Sequence, residues 1–88
     1  MNIAALLVVP VRTGSGMASL RCGRLPDGRR VGIAFTTEAR LIEVMGADQP
    51  WIHLHERAMR AMLAPLGVTR IQVDPGVVTP NLPVLVAV

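Results

Sequence analysis

His53, His55 and Glu56 are the densest group of metal-holding or proton-moving side chains in this 88-residue sequence. Two imidazoles one residue apart converge when the backbone is extended, because alternate side chains share a strand face. On a helix they diverge by about 200°. The surrounding pattern predicts a helix from Trp51 to Ala64, with Asp48 as cap and Pro50 and Trp51 at its first turn. Met59, Met62, Leu63 and Leu66 lie along one stripe, Leu54 and Ala58 lie beside it, and Glu56 and Arg60 pair outward. The histidines are therefore expected to face solvent or to cap the helix. A third ligand would have to come from Cys22 or Asp74 through the fold, at no recognised spacing, so neither a metal site nor a cofactor is expected.

The other acidic residues mostly have architectural tasks. Asp27 belongs to a turn, Glu38 and Asp48 to helix starts, and Glu43 and Glu56 to exposed faces. Asp74, at a strand end before Pro75 and Gly76, has no such task, and loops after strands commonly carry function. A small enzyme or ligand-binding protein would place its pocket there, near Thr36. Cys22 falls on an expected core face with no histidine adjacent in sequence, where a thiol behaves as a small hydrophobe. No set of catalytic residues is predicted. Trp51 beside Pro50 is either an exposed anchor for a partner or a lid on the core. Trp51, His53, His55 and Asp74 are thus the binding candidates.

All nine basic residues are arginine, and the formal charge is +3. Coding bias toward Arg, Ala, Val, Gly and Pro accounts for that as well as arginine chemistry does. Arg12, Arg21, Arg24, Arg29 and Arg30 still crowd one region against Asp27 alone. Arg21, Arg24, Arg29 and Arg30 are candidate nucleic-acid contacts on a strand pair. With one Trp, one Phe and no Tyr, the stacking platforms of single-strand binders are missing, so a solvated sheet face is the preferred reading.

The elements that must position these residues centre on Val31 to Gly46. Val31, Ile33 and Phe35 alternate with Gly32, Ala34 and Thr36 as a strand, a Thr hydroxyl and Glu38 begin a helix, Leu41, Ile42 and Met45 recur at helical spacing, and Gly46 ends it. Before this unit, Ile3 to Val9 reads as a first strand, with Pro10 placing its far end at a sheet edge or taking it out of the sheet. Thr13 to Gly16 forms a turn. Ala18, Leu20 and Cys22 mark a second strand, joined by the turn Leu25-Pro26-Asp27-Gly28 to the strand leaving Arg29. Pro65 and Gly67 end the second helix, and Ile71 and Val73 form a last strand of undetermined sense. The expected core is Val31, Ile33, Phe35, Leu41, Ile42, Met45, Met59, Met62, Leu63, Ile71 and Val73.

Eighty-eight residues allow one thin-cored domain, and the 51% hydrophobic content serves folding. No run reaches the roughly 18 to 20 apolar residues of a spanning helix, and Ile3 to Val9 lacks the flanks of a signal peptide. The single cysteine excludes an internal disulfide and fits a reducing cytoplasm. The fold class is α+β: three or four mostly antiparallel strands with two helices on one face, ordered β-β-β-α-α-β, over residues 1–78. Residues 79–88 form an apolar, proline-broken tail, an edge strand or a dimer contact.

In that order, VVPVR, LPDG, VGIAFTTEARL, APLGV and RIQVDPGVV resemble the N-terminal domain of SseB-like proteins, named for enhanced serine sensitivity, particularly their short stand-alone actinobacterial members. The resemblance covers residues 7–78, and its most specific part is AFTTEARL combined with VDPG after an LGV helix end. It implies an α+β fold and a bacterial cytoplasmic setting. The family supplies no catalytic residues to carry over. Together these features point to a noncatalytic protein-interaction or accessory module, associating with itself or with another protein and not with a membrane. A small biosynthetic enzyme or ligand-binding protein is the alternative, and an arginine-strip nucleic-acid binder the third reading.

Overall fold

The computed structural model describes residues 6–14 and 16–76, and gives no placement for the side chain of Met17. The α+β class holds, with six strands and two helices among the described residues, ordered β-β-β-β-α-β-α-β. Strand β1 is Leu6–Gly14, β2 Met17–Leu20, β3 Cys22–Arg24 and β4 Arg30–Ala34; helix α1 is Glu38–Met45, β5 is Trp51–His55, α2 is Glu56–Leu63 and β6 is Ile71–Val73. A short 3₁₀ turn, Ala64–Leu66, follows α2. The strands form two three-stranded sheets, β2-β1-β5 and β3-β4-β6. All pairings are antiparallel except β4 with β6, which is parallel.

The two sheets meet where β1 and β4 touch. Val8 and Phe35 exchange both backbone hydrogen bonds, each at 2.8 Å. Two residues on, the same edge of β1 passes to β2, and the Arg21 N–H donates to the Pro10 carbonyl at 3.0 Å. Pro10 therefore sits at the changeover, deeply buried inside a continuous nine-residue strand, and not at its free end as expected. Its missing N–H removes only the return half of the bond with Arg21. The predicted start of this strand at Ile3, and the tail 79–88, lie outside the described residues.

Val31 to Gly46 folds as its sequence indicates. The Thr37 hydroxyl accepts from the Arg40 N–H at 3.1 Å to cap α1, and Gly46, at φ 96°, donates its N–H to the Ile42 carbonyl at 2.8 Å. The turn before it also forms as read: Gly28 N–H bonds Leu25 O at 2.8 Å, and Asp27 accepts from the Arg29 N–H at 2.9 Å. The glycine turn is tighter than expected, because Thr13 and Gly14 still pair with Ala18 and Met17.

The helices take opposite faces of the strands, where one shared face was expected. Leu7, Val9 and Ala34 pack with Met59 and Leu63 of α2 and with Val68. Val8, Ile33 and Phe35 pack with Leu41 of α1, with Val44, Met45 and Trp51 at the margin. Consecutive residues of β1 and β4 are both apolar, so both faces need cover. Gly32 allows α2 to approach: a Cβ there would stand 2.7 Å from Leu63 Cδ1 and 3.2 Å from Met59 Cε.

Three expected core residues are not in it. Ile42, Met62 and Val73 are 41%, 46% and 45% exposed. Each eight-residue helix buries a narrow stripe, Met59 and Leu63 on α2 and Leu41 on α1, and a neighbour about 100° round falls outside it. Among the described residues no helix is long and apolar enough to cross a membrane.

Candidate functional site

The largest departure from expectation is where the histidines lie. Trp51–His55 is a strand paired with β1, not the opening of a helix, so Trp51, His53 and His55 project to one side. Trp51 turns its body onto the Phe35 cluster and meets the His53 ring edge-on, centroids 5.1 Å apart. The lid reading of Trp51 fits this packing, since it is half-buried at the margin of the core. His55 stands at the start of α2 and its side chain makes no capping bond. Asp48 lies in the turn before β5 and caps nothing.

Strand β5 has a second property that follows from its register. Val8 spends its N–H and C=O on Phe35, so the residue opposite it on β5, His53, belongs to a pair without hydrogen bonds to β1. The N–H and C=O of Trp51 and His53 and the N–H of His55 thus point away from β1, and no described strand pairs with them, while the His55 C=O faces into the first turn of α2. Ile52, 36% exposed, and Leu54 occupy the other face of the strand.

Asp74 does have an architectural task. Its carboxylate accepts from the Thr36 N–H at 2.9 Å and from the Thr36 hydroxyl at 2.8 Å, while its own N–H donates to the Ala34 carbonyl at 2.8 Å. It holds φ 54°, in the left-handed region that Asp tolerates better than most residues. The Thr36 N–H lowers the carboxyl below the usual aspartate range; partial burial works against that, and the Thr36 hydroxyl and then Arg40 assist. Thr36 and Asp74 are brought together as the sequence suggested, but as a clasp between β6 and the start of α1.

The candidate arginines do not form one strip. Arg21 leaves the hairpin to donate to Gln49 Oε1, and Gln49 Nε2 donates in turn to the carbonyls of Val11 and Pro50 at 2.8 and 2.7 Å. Burial, then repulsion from Arg12, weakens Arg21's hold on its proton without discharging it. Arg24 and Arg30 face each other across β3 and β4, and Arg29 pairs with Asp27 at 2.8 Å. The Arg29 N–H and then its guanidinium hold the Asp27 carboxyl below the usual range. Gln49 and Arg70 are polar residues to which sequence reasoning gave no role at a site; a polar residue between the Gly46 stop and Pro50 was the available signal for the first.

Cys22 is partly buried, and burial pushes its thiol pKa up, with Arg30 opposing. Its alkylation at neutral pH should run slower than that of a free cysteine and reach the free rate only in denaturant. Mass-spectrometric labelling checks this, and equal rates in the folded chain would contradict it. Among the described residues no three His, Cys, Asp or Glu side chains gather as a metal ion requires.

The family model of the SseB protein N-terminal domain matches residues 3–83. The chain belongs to the SseB family. The match spans both AFTTEARL and VDPG, the two stretches that this SseB domain joins through the Thr36 and Asp74 clasp. No curated protein and no solved structure matched the chain. The SseB domain therefore brings together Thr36 with Asp74, Trp51 with His53, and Arg24 with Arg30, and its longest stretch of unpaired strand edge among the described residues carrying candidate residues is β5.

Proposed function

We propose that this SseB domain is a noncatalytic interaction module of the bacterial cytoplasm, an accessory or regulatory factor, and that its partner is a second copy of itself paired along β5. The observation that carries the reading is the outward N–H and C=O of Trp51 and His53, with the N–H of His55 beside them. A strand edge of this kind recruits another strand. Antiparallel pairing of two β5 edges about His53 sets Trp51 of each copy opposite His55 of the other, a self-complementary arrangement closed by a two-fold axis. Exposed Ile52 adds apolar area, and the apolar run Leu82 to Val88 in the sequence favours association as well.

The test is the molar mass of the full chain by size-exclusion light scattering, for the native sequence and for His53→Pro. Proline at 53 removes an N–H that points away from β1, so the β1–β5 ladder keeps its bonds. A native dimer that becomes monomeric in the variant, with far-ultraviolet dichroism unchanged, is the expected result. A native monomer at about 100 μM, a concentration at which a micromolar dimer is mostly assembled, sinks the reading. A dimer lost on deleting Leu82 to Val88 but kept in His53→Pro would move the contact off β5.

A further inference from the structure

At the end of the β3–β4 hairpin the fold concentrates positive charge that it does not neutralise. Arg24 and Arg30 stand directly opposite on adjacent strands, an arrangement that like charges make unfavourable. Parallel pairing of β6 then brings Arg70 alongside, its carbonyl accepting from the Gly32 N–H at 2.8 Å. Asp27 is the acidic side chain bonded within this group, and both of its oxygens are engaged by Arg29. Arg24 donates to the Gly28 carbonyl at 2.8 Å, which carries no charge. The guanidiniums of Arg30 and Arg70 make no hydrogen bond among the described residues. The next cation along, Arg60, is already paired with Glu56 at 2.9 Å.

Arg29, Arg30 and Arg70 line an open hollow of about 160 Å³ whose remaining wall is Leu66 to Thr69. That volume is well below the roughly 300 to 1,000 Å³ of a pocket for a whole drug-sized molecule, and suits a single compact group. Leu66, 54% exposed, gives the hollow an apolar lip. Planar guanidiniums present paired N–H donors that match a tetrahedral oxyanion, and a dianion offsets the excess positive charge that Arg30 and Arg70 bring to the hollow.

We infer that this hollow is a seat for a phosphate group, free or carried as a phosphomonoester whose organic part lies against Leu66. Arg30 and Arg70 supply the principal hydrogen bonds. Arg29, held by Asp27, forms the rim.

The probes are inorganic phosphate and phenyl phosphate, titrated into the ¹⁵N-labelled full chain at constant ionic strength set with sodium chloride. Saturable amide shifts confined to residues 29–30 and 66–70 are expected with both, phenyl phosphate binding at least as tightly. Arg30→Ala or Arg70→Ala should weaken binding about tenfold, the worth of one charge-assisted hydrogen bond. Arg40→Ala, on α1 across the sheet, should leave it unchanged, and thermal melts confirm that each variant folds. Shifts that rise without saturating, that sodium chloride reproduces, or that survive both substitutions would overturn the inference. So would an RNA oligonucleotide that binds where neither phosphate does and depends on Arg12 as much as on Arg30, since that would restore the strip.

Discussion

Phe35→Ala is expected to destabilise the domain by about 3–5 kcal/mol, the range for removing a buried phenyl group and leaving its cavity. At roughly 0.05–0.15 kcal/mol per residue, an 88-residue domain has about 4–13 kcal/mol in all, so the variant would lose roughly a quarter or more of its stability. The site cannot collapse easily. Phe35 is fully buried among Val8, Ile33 and Leu41, and its own backbone is bonded on both sides to Val8, which fixes the two strands that would have to move inward. The ring also supports Trp51, the residue that ends β5 nearest the changeover at Pro10. Ile42→Ala is the comparison. Ile42 is 41% exposed despite its helical spacing from Met45, and its truncation should cost under about 1 kcal/mol. Urea unfolding read by dichroism measures both, and equal midpoints for the two variants would mean that the cluster around Phe35 is not the core.

What was legible in the sequence is what neighbouring residues decide together. Val31 to Gly46 writes its strand, its Thr cap and its Gly stop within a few residues, and each signal forms in the structure. The same holds for Leu25 to Gly28. Trp51 to His55 failed because two periods overlap. Its apolar residues at 52 and 54 alternate as a strand requires, yet Leu54 also continues the stripe of Ala58 and Met62, and that longer pattern wins when nothing shows that β1 lies alongside. Pro10 misled for a related reason. Its rule concerns a missing N–H, and whether that loss falls on a paired edge depends on which strand passes by.

The candidate site was legible only as separate residue types. Arg70 was read only as part of the last strand and not as a site residue, because its proximity to Arg30 comes from a parallel pairing between β4 and β6, and no local pattern encodes a parallel partner. Arg21 looked like a member of the same basic group, but the break between β2 and β3 turns it toward Gln49. The assignment of two faces to two helices also needed the tertiary fold. Apolar residues at both parities of β1 signal cover on both sides, and that signal was present in Leu7, Val8 and Val9.

Asp74 gives the second large effect, and it separates chemistry from architecture. Asp74→Ala removes two hydrogen bonds to Thr36 and leaves at φ 54° a residue without the polar side chain that lets Asp tolerate the left-handed region. With about 1 kcal/mol or less for each partly exposed bond and a further few tenths for the lost tolerance, the expected loss is about 1–3 kcal/mol. Asp74→Gly relieves the backbone but not the bonds and should fall between. Asp74→Asn keeps the left-handed tolerance, an acceptor for the Thr36 N–H and an amide for its hydroxyl, so under about 1 kcal/mol should be lost. Acid should reveal the charge. The folded carboxyl is lowered, chiefly by the Thr36 N–H, so its contribution is present above the unfolded aspartate value near about pH 4 and is lost as pH falls through the folded one. The gap between the native chain and Asp74→Asn should therefore narrow below about pH 4. A gap that widened there, or an alanine variant as stable as the asparagine one, would refute the clasp. A carboxylate with a lowered pKa and both oxygens engaged is also a poor proton acceptor at neutral pH, which is the physical reason for placing Asp74 among the residues that hold β6 to α1 and not among those that would do acid–base work.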